Sequence, residues 1–251
     1  MERLLTMRLI TIKNIIIPTL LLGIFFIPFN SWSGIGFLGE YYRDSCFLFF
    51  SFAFVLVLFK RRIKMPIKNL IFQFLILFIL WSILATLFNA HNMADYYFKQ
   101  TSGLSRFINQ FGSLIIASII IPLTFYNGFK WININKTFRL IRRVVLASLI
   151  IVLIYSIIEI LIVKFNMVNL KKPLLNLFDY FPFTEAKTDM RLRRISSVTF
   201  EPPALGTYLL SIAGWMFSYI LTEKKNFKYF SLNSQLFFLA HVGYFFLDSN
   251  A

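Results

Sequence analysis

Long runs of apolar residues, separated by short polar and basic segments, form the hydrophobic pattern of this chain. A bilayer core about 30 Å thick requires roughly 20 apolar residues for one helical crossing, and the runs are too long and continuous for the strands of a barrel. The pattern therefore predicts an all-α fold, a polytopic transmembrane helix bundle. About seven spans are predicted, at residues 12–29, 45–59, 67–88, 107–126, 140–163, 203–221 and 230–247.

The second predicted span, 45–59, is short for a membrane crossing. Arg43 and Lys60 bracket it, and long basic side chains can reach along a thin span to both interfaces. The first span has the basic start of a signal peptide but lacks a small-residue cleavage site. We therefore expect the first span to be an uncleaved signal anchor.

Composition supports a membrane protein, because 58% of the residues are hydrophobic and the mean hydropathy is +0.70, whereas soluble chains are nearer half apolar. In a soluble protein, a net charge of +15 would indicate nucleic-acid binding, but here the basic residues lie between the spans. Lipid is therefore the expected surrounding and nucleic acid is not an expected partner. With Cys46 as the single cysteine, and His91 and His241 as the only histidines, neither a disulfide, nor a metal site, nor a cofactor is predicted.

The distribution of Lys and Arg predicts the orientation of the spans. Sixteen basic residues lie in the amino-terminal end and in the loops at 60–68, 127–143 and 222–229, whereas the loops at 30–44 and 89–106 carry three. Basic residues near span ends are retained in the cytoplasm. We expect a cytoplasmic amino terminus and an extracytoplasmic long loop, 164–202, within a single transmembrane domain, 1–251.

One short helix is predicted within that long loop. Apolar residues at offsets 0, 4, 7, 8 and 11 indicate a helix lying along the outer membrane interface; an irregular loop pressed against the bundle is the alternative. These residues are Leu170, Leu174, Leu177, Phe178 and Phe181.

The stretch RLRRISSVTFEPPALGTY, residues 191–208, carries the clearest candidate chemistry. Arg191, Arg193 and Arg194 precede two prolines that are tolerated in the first turn of a helix. Guanidinium groups beside the free N–H groups of a helix start make an anion site; anchoring to lipid phosphates is the alternative. Glu201 lies in that first turn. It is either a catalytic residue or an acid that the positive end of the helix dipole and Arg194 stabilise.

Two further features leave alternatives open. Ser196 and Ser197 lack the surroundings of a nucleophile and are interpreted as turn or capping residues. Glu159 lies inside the fifth span, where an ionisable side chain is costly. It is either a hydrogen-bonded acid near the outer interface or the proton-binding group of a carrier.

The arrangement R-R-x-S-S-x-x-x-E-P-P-x-L-G-x-Y-L, from Arg193 to Leu209, resembles a motif of bacterial O-antigen and capsule polymerases. These are the Wzy-type members of the O-antigen ligase and polymerase superfamily. In that family the motif ends the third outer loop and opens the sixth span, which is its position here. The segment RFINQFGSLI, from Arg106, resembles a weaker feature of the family.

The resemblance implies a metal-independent glycosyltransferase at the outer face of the bacterial inner membrane. Such an enzyme transfers a growing glycan from undecaprenyl pyrophosphate to the next lipid-linked oligosaccharide, and a flippase and a chain-length regulator are implied as partners. Arg191, Arg193 or Arg194 would bind pyrophosphate, and Glu201 would orient an arginine or receive a proton. The implied substrate-binding residues are Arg106, Ser196 and Ser197.

The chain departs from the family in length, because its members usually have ten or more spans and a second functional outer loop. We therefore expect it to be the amino-terminal portion of a larger polymerase-like bundle. An O-antigen ligase of lipopolysaccharide synthesis is the near alternative. A lipid-linked sugar flippase or other membrane carrier, or a structural membrane subunit, is more distant.

Overall fold

The computed structural model describes residues 2–32, 43–59, 63–95, 97–98, 101–130, 132–164 and 195–222, with single short pieces at 169, 172–173, 176 and 183–184. Within these ranges the chain is mostly helical. In chain order the elements are α1 (Glu2–Phe25), α2 (Cys46–Leu58), α3 (Leu70–Phe88), α4 (Ala90–Asp95), β1 (Tyr97–Phe98), β2 (Thr101–Ser102), α5 (Gly103–Ile115), a π-helix (Ile116–Ile120), α6 (Ile121–Phe129), α7 (Ile134–Val163) and α8 (Pro202–Thr222).

The chain divides into two compact units. The first consists of Met1–Leu20, Ile35–Tyr42 and Phe47–Thr137. The second consists of Leu21–Gly34, Arg43–Cys46 and Phe138–Ala251. Most of the residues that the sequence singles out as candidate chemistry belong to the second unit.

Three helices of the described chain are long and apolar enough to cross a membrane: α3, the continuous helix Gly103–Phe129 and α7. The first and second predicted spans correspond to shorter apolar segments, Asn14–Phe25 and α2. The 13 residues of α2 make a helix only about 20 Å long, less than the thickness of a bilayer core. The predicted span at 230–247 lies outside the described residues, as does nearly all of the predicted interfacial helix at 170–181.

Local side-chain chemistry determines where two of the helices begin. Asn69 accepts a hydrogen bond from the N–H of Ile71 at 2.9 Å, so α3 begins at Leu70, three residues after the start predicted from hydropathy. This is the usual role of Asn at a helix start. The prediction that two prolines stand in the first turn of a helix is confirmed, since α8 begins at Pro202.

The helix Gly103–Phe129 contains one wider turn, the π-helix Ile116–Ile120. Pro122 stands two residues after its last residue, and a proline both lacks the N–H for an intrahelical bond and crowds the carbonyl four residues before it. The wider turn is the expected local response. At the other end of this helix, a Cβ on Gly128 would collide with the side chains of Leu20 and Ile16. Glycine there lets α1 approach closely.

A hairpin of two strands, each two residues long, lies in the first unit and is a small departure from the predicted all-α fold. Tyr97 pairs with Ser102, and Phe98 pairs with Thr101, in antiparallel register. The Ser102 hydroxyl then accepts a hydrogen bond from the N–H of Ser105 at 3.3 Å. The hairpin therefore leads directly into the start of α5.

The second unit is held together by buried hydroxyl groups as well as by apolar residues. Tyr208 on α8 donates to Ser148 on α7 at 3.0 Å, and Ser148 donates to the carbonyl of Phe25 at the end of α1 at 2.8 Å. These bonds join three helices. The apolar residues buried along α7 and α8 include Leu149, Val152, Ile162, Leu205, Leu209 and Ile212.

Candidate functional site

A buried carboxylate on α7 holds the turn that precedes α8. Glu159 is 1% exposed, and it accepts hydrogen bonds from the backbone N–H groups of Ser196 at 3.1 Å and Ser197 at 2.6 Å. The Ser196 hydroxyl adds a longer contact of 3.4 Å to the other carboxylate oxygen. Two consecutive backbone N–H groups form a concave anion-binding surface, and here an internal carboxylate occupies it.

The backbone of Ser197 adopts an uncommon conformation to make this contact. Its φ of 53° lies in the left-handed region, which costs a residue other than glycine about 1 kcal/mol or more. The N–H bond to Glu159 and a second bond, from the Ser197 hydroxyl to the carbonyl of Val152 at 2.8 Å, compensate for it. Both bonds go to α7, so the turn is fixed against that helix.

The remainder of the turn is closed by its own side chains. The hydroxyl of Thr199 is 2.6 Å from the carbonyl of Ser196 and 2.9 Å from the carbonyl of Glu201. The Glu201 carbonyl also accepts the N–H groups of Ala204 and Leu205. Residues 196–201 therefore form a compact turn that leads into the first turn of α8. We call it the Glu159 turn.

Asn30 and Arg43, which lie on either side of residues 33–42, also contact the Glu159 turn. Phe200 donates its backbone N–H to the side-chain oxygen of Asn30 at 2.8 Å. The guanidinium of Arg43 lies 3.4 Å above the centre of the Phe200 ring, within the distance of a cation–π interaction. Arg43, considered above as a residue that could reach a membrane interface, is thus in contact with this turn.

Aromatic side chains pack beside these polar groups. Phe183 makes edge contacts with Trp32 and Phe26, with ring centres 5.2 and 5.3 Å apart. The indole N–H of Trp32 is buried and has no hydrogen-bond partner within the described part of the chain. A buried donor of this kind normally finds an acceptor.

The predicted site residues fall in three places. Ser196, Ser197 and Glu201 lie together in the Glu159 turn, where both serines are buried and Glu201 is exposed. Arg106 lies exposed on α5, in the first unit. The three arginines that the motif singles out, Arg191, Arg193 and Arg194, lie outside the described residues.

The surroundings of the Ser196 and Ser197 hydroxyls can be compared with the substrate-binding role that the resemblance implies for them. Ser196 and Ser197 are 4% and 3% exposed, and each hydroxyl contacts an acceptor on α7. This geometry matches the turn or capping role predicted from their sequence surroundings. Within the described ranges, no three His, Cys, Asp or Glu side chains are close enough together to hold a metal ion.

For two groups of site residues, the contacts that they make could not be predicted from the sequence. An acid within an apolar span marked Glu159, but its partners are 37 and 38 positions away in the chain. Asn30 carried no signal beyond being a polar residue close to a span end. Its contact with Phe200 joins residues 170 positions apart, and no local pattern predicts such a separation.

Comparisons with known proteins yield no relative. No protein-family model, no curated protein sequence and no solved structure matches this chain. Arguments about its function therefore depend on its own residues and on the motif at Arg193 to Leu209.

Proposed function

We propose that this protein polymerises undecaprenyl-pyrophosphate-linked oligosaccharide repeat units into surface polysaccharide, O-antigen or capsule, at the outer face of a bacterial inner membrane. It acts as a metal-independent glycosyltransferase, within a multi-pass helix bundle whose amino terminus is cytoplasmic. The long loop 164–202 is extracytoplasmic and carries the catalytic residues. Its partners are the lipid-linked oligosaccharide, the surrounding lipid, and the flippase and chain-length regulator that serve the same product.

The observation that supports this proposal best is the Glu159 turn. A carboxylate in an apolar helix is costly unless it is fully hydrogen-bonded, and the partners of Glu159 are backbone groups of Ser196 and Ser197. In the sequence, Arg194 of the motif stands two positions before Ser196. The turn that Glu159 fixes is therefore the described part of the chain that follows directly on the arginines of the motif and leads into α8.

The chemistry required of the arginines follows from the leaving group. Negative charge develops on pyrophosphate as the glycosidic bond breaks, and preorganised donors stabilise such charge. Arg191, Arg193 and Arg194 supply these donors. Glu201, exposed at the start of α8, orients an arginine or receives the proton of the acceptor hydroxyl, and Arg106, Ser196 and Ser197 contribute to substrate binding.

The geometry of Glu159 disfavours the carrier alternative. A carrier needs its acid to exchange protons with water or substrate, usually at a site between broken helices. Both carboxylate oxygens of Glu159 instead contact Ser196 and Ser197, and the residue is nearly inaccessible. Its contacts are those of an acid that fixes a loop.

The proposal is tested by deleting the gene in its host and comparing surface polysaccharide on a gel after restoring wild type, Arg194→Ala or Arg139→Ala. We expect a ladder with wild type and a single repeat unit with Arg194→Ala. Arg139→Ala is the matched control, because it removes the same charge from an exposed position near the start of α7 and leaves the loop intact. It should restore the ladder.

Two other outcomes would contradict the proposal. Deletion that leaves the ladder unchanged would exclude a polymerase. Full-length polymer that accumulates on its lipid carrier, without attachment to the cell surface, would instead indicate a ligase.

A further inference from the structure

A buried amide near the end of the helix Gly103–Phe129 holds the segment that connects α2 and α3. Asn127 is 3% exposed. Its side-chain oxygen accepts the backbone N–H of Lys64 at 2.9 Å, and its nitrogen donates to the carbonyl of Lys64 at 3.1 Å. The same nitrogen donates to the carbonyl of Leu123 at 2.9 Å. The backbone of Lys64 is therefore attached at two atoms to the last turn of α6.

This attachment brings two lysines to the same end of the helix. Lys130 directly follows α6 with its backbone still in the helical conformation, three positions after Asn127. Residues with this spacing are neighbours on one helix face, with Cβ atoms about 5–6 Å apart, so Lys64 and Lys130 both lie beside Asn127. Both lysine side chains are exposed. Desolvation and the positive charge of Lys64 lower the pKa of the Lys130 ammonium, which agrees with two neighbouring cations.

The part of the sequence that surrounds these lysines, residues 46–158, contains a single acid, Asp95. Asp95 ends α4, and α4 lies against the other end of the helix, since a Cβ on Gly103 would be 2.7 Å from the carbonyl oxygen of Met93. The helix from Gly103 to Phe129 has 27 residues, so its two ends are about 40 Å apart. Asp95 is therefore too distant to neutralise the two lysines.

The end of the helix supplies only part of the opposite charge. The carboxyl end of a helix carries the equivalent of about −0.5 elementary charge, and cations are commonly stabilised there. Lys64 and Lys130 bring two full positive charges, so a net charge of about +1.5 remains. This charge attracts an anion from outside the chain.

The depth of the two lysines indicates which anion binds. Gly103–Phe129 is long and apolar enough to cross a membrane, and its length matches a bilayer with its headgroup regions, about 40–45 Å. Lys130 and the attached Lys64 then lie at the level of the headgroups. Beside them, Met65 and Ile67 are 60% and 59% exposed, and apolar side chains next to basic ones are typical of segments that insert at this level. A lipid phosphate offers negative charge together with apolar chains.

We infer that Lys64 and Lys130 together bind the phosphate of an anionic phospholipid. Asn127 is a positioning residue, because it holds Lys64 beside Lys130. Each ammonium donates to phosphate oxygens, and Met65 and Ile67 contact the acyl chains. A zwitterionic headgroup binds less well, because its own cation is repelled by the two lysines. This site does not depend on the proposed function.

The test measures lipid binding to the purified protein in a mild detergent. The protein is titrated with phosphatidylglycerol, or with phosphatidylcholine of the same acyl chains, and bound lipids are counted by native mass spectrometry. One lysine near a membrane surface changes affinity for anionic lipid about five-fold. Lys64→Ala and Lys130→Ala should therefore each weaken the tightest phosphatidylglycerol binding about five-fold, and the double variant about 25-fold. Wild type should bind phosphatidylcholine at least about five-fold more weakly than phosphatidylglycerol.

Three variants separate this site from a general effect of charge or folding. Arg106→Ala is the matched control, because it removes a cation from the opposite end of the same helix, and it should leave the tightest binding unchanged. Lys64→Arg retains the charge and should retain the affinity. Asn127→Ala removes no charge, but it releases Lys64 and should weaken phosphatidylglycerol binding about as much as Lys64→Ala.

Several results would overturn the inference. Equal affinity for the two lipids, or wild-type affinity in the double variant of Lys64 and Lys130, would exclude this site. An equal loss of affinity in Arg106→Ala would show that total charge, and not this pair, attracts the lipid. Displacement of the lipid by an excess of inorganic phosphate would show that the pair takes a free anion. Wild-type affinity in Asn127→Ala would contradict the positioning role.

Discussion

Two long apolar helices, α3 in the first unit and α7 mostly in the second, meet very different surroundings. Only 6% of the apolar window of α3 is buried inside the protein, against 44% for α7. On α3 the hydroxyls of Ser82 and Thr86 bond to carbonyls four residues earlier in the same helix. On α7, Ser148 and Glu159 instead bond to other segments of the chain.

The difference shows how a polar group in an apolar helix can be accommodated. A hydroxyl is satisfied locally, by a carbonyl of its own helix, and can face lipid. A carboxylate has no donor within its own helix and requires partners from elsewhere. Glu159 therefore marks the face of α7 on which another segment packs, whereas the hydroxyls of Ser82 and Thr86 on α3 need no partner outside their own helix.

Among the substitutions that test this difference between α3 and α7, the largest effect is expected at Glu159. Glu159→Ala leaves the buried N–H groups of Ser196 and Ser197 without an acceptor, each costing about 1–3 kcal/mol. We expect the free energy of unfolding, measured by titration with SDS in mixed micelles, to fall by about 3 kcal/mol. Glu159→Gln retains an accepting oxygen and should lose about 1 kcal/mol.

The matched control on α3 is Gln73→Ala. Gln73 is exposed and its side chain donates to the nearby carbonyl of Ile67, so its removal should change the free energy of unfolding by less than about 0.5 kcal/mol. Equal losses for Glu159→Ala and Gln73→Ala would show that the carboxylate does not hold the turn.

A charge placed on α3 tests whether the exposed face of this helix meets lipid. Leu80, near the middle of α3, is exposed, and an aspartate at the centre of a membrane helix costs about 2.5–3.5 kcal/mol on insertion. We expect Leu80→Asp to reduce membrane insertion of α3 strongly in a glycosylation-mapping assay, and Leu80→Val to insert normally. Normal insertion of Leu80→Asp would mean that this face of α3 meets water or protein rather than lipid.

The hydroxyl chain of the second unit should show a smaller effect. Tyr208→Phe removes the bond to Ser148 and should lower the free energy of unfolding by about 1 kcal/mol. Tyr126→Phe, at an exposed position, is the control and should have no measurable effect. A double-mutant cycle with Ser148→Ala measures the coupling directly, and strictly additive losses would exclude an interaction between the two hydroxyls.

The smallest expected effect is a dependence of stability on pH at Asp44. Because the folded state raises the pKa of this acid, folding favours the protonated form. Stability should then fall as the pH rises above the ordinary pKa of an aspartate, about 3.9, and become level once the pH exceeds the raised folded value. Asp44→Asn should lack this decline. Identical pH slopes for the two proteins between about pH 4 and 7 would contradict burial of the carboxyl.

The fold class could be predicted from the sequence because hydropathy is a local property. Six of the predicted spans overlap the helices α1, α2, α3, Gly103–Phe129, α7 and α8, with ends that differ where Asn69 caps a helix or where α5 begins at a hairpin. The prolines at 202 and 203 indicated the start of α8 correctly. Local chemistry is sufficient for such features.

The sequence by itself determined that this chain forms long apolar helices, with a turn of serines before a proline-led helix. Only the tertiary structure decided that Glu159 holds that turn and that Asn30 and Arg43 lie against it. The physical reason is distance along the chain. A helix needs partners three or four residues away, whereas a buried carboxylate takes whichever N–H groups the folded chain brings to it, here 37 and 38 residues farther on.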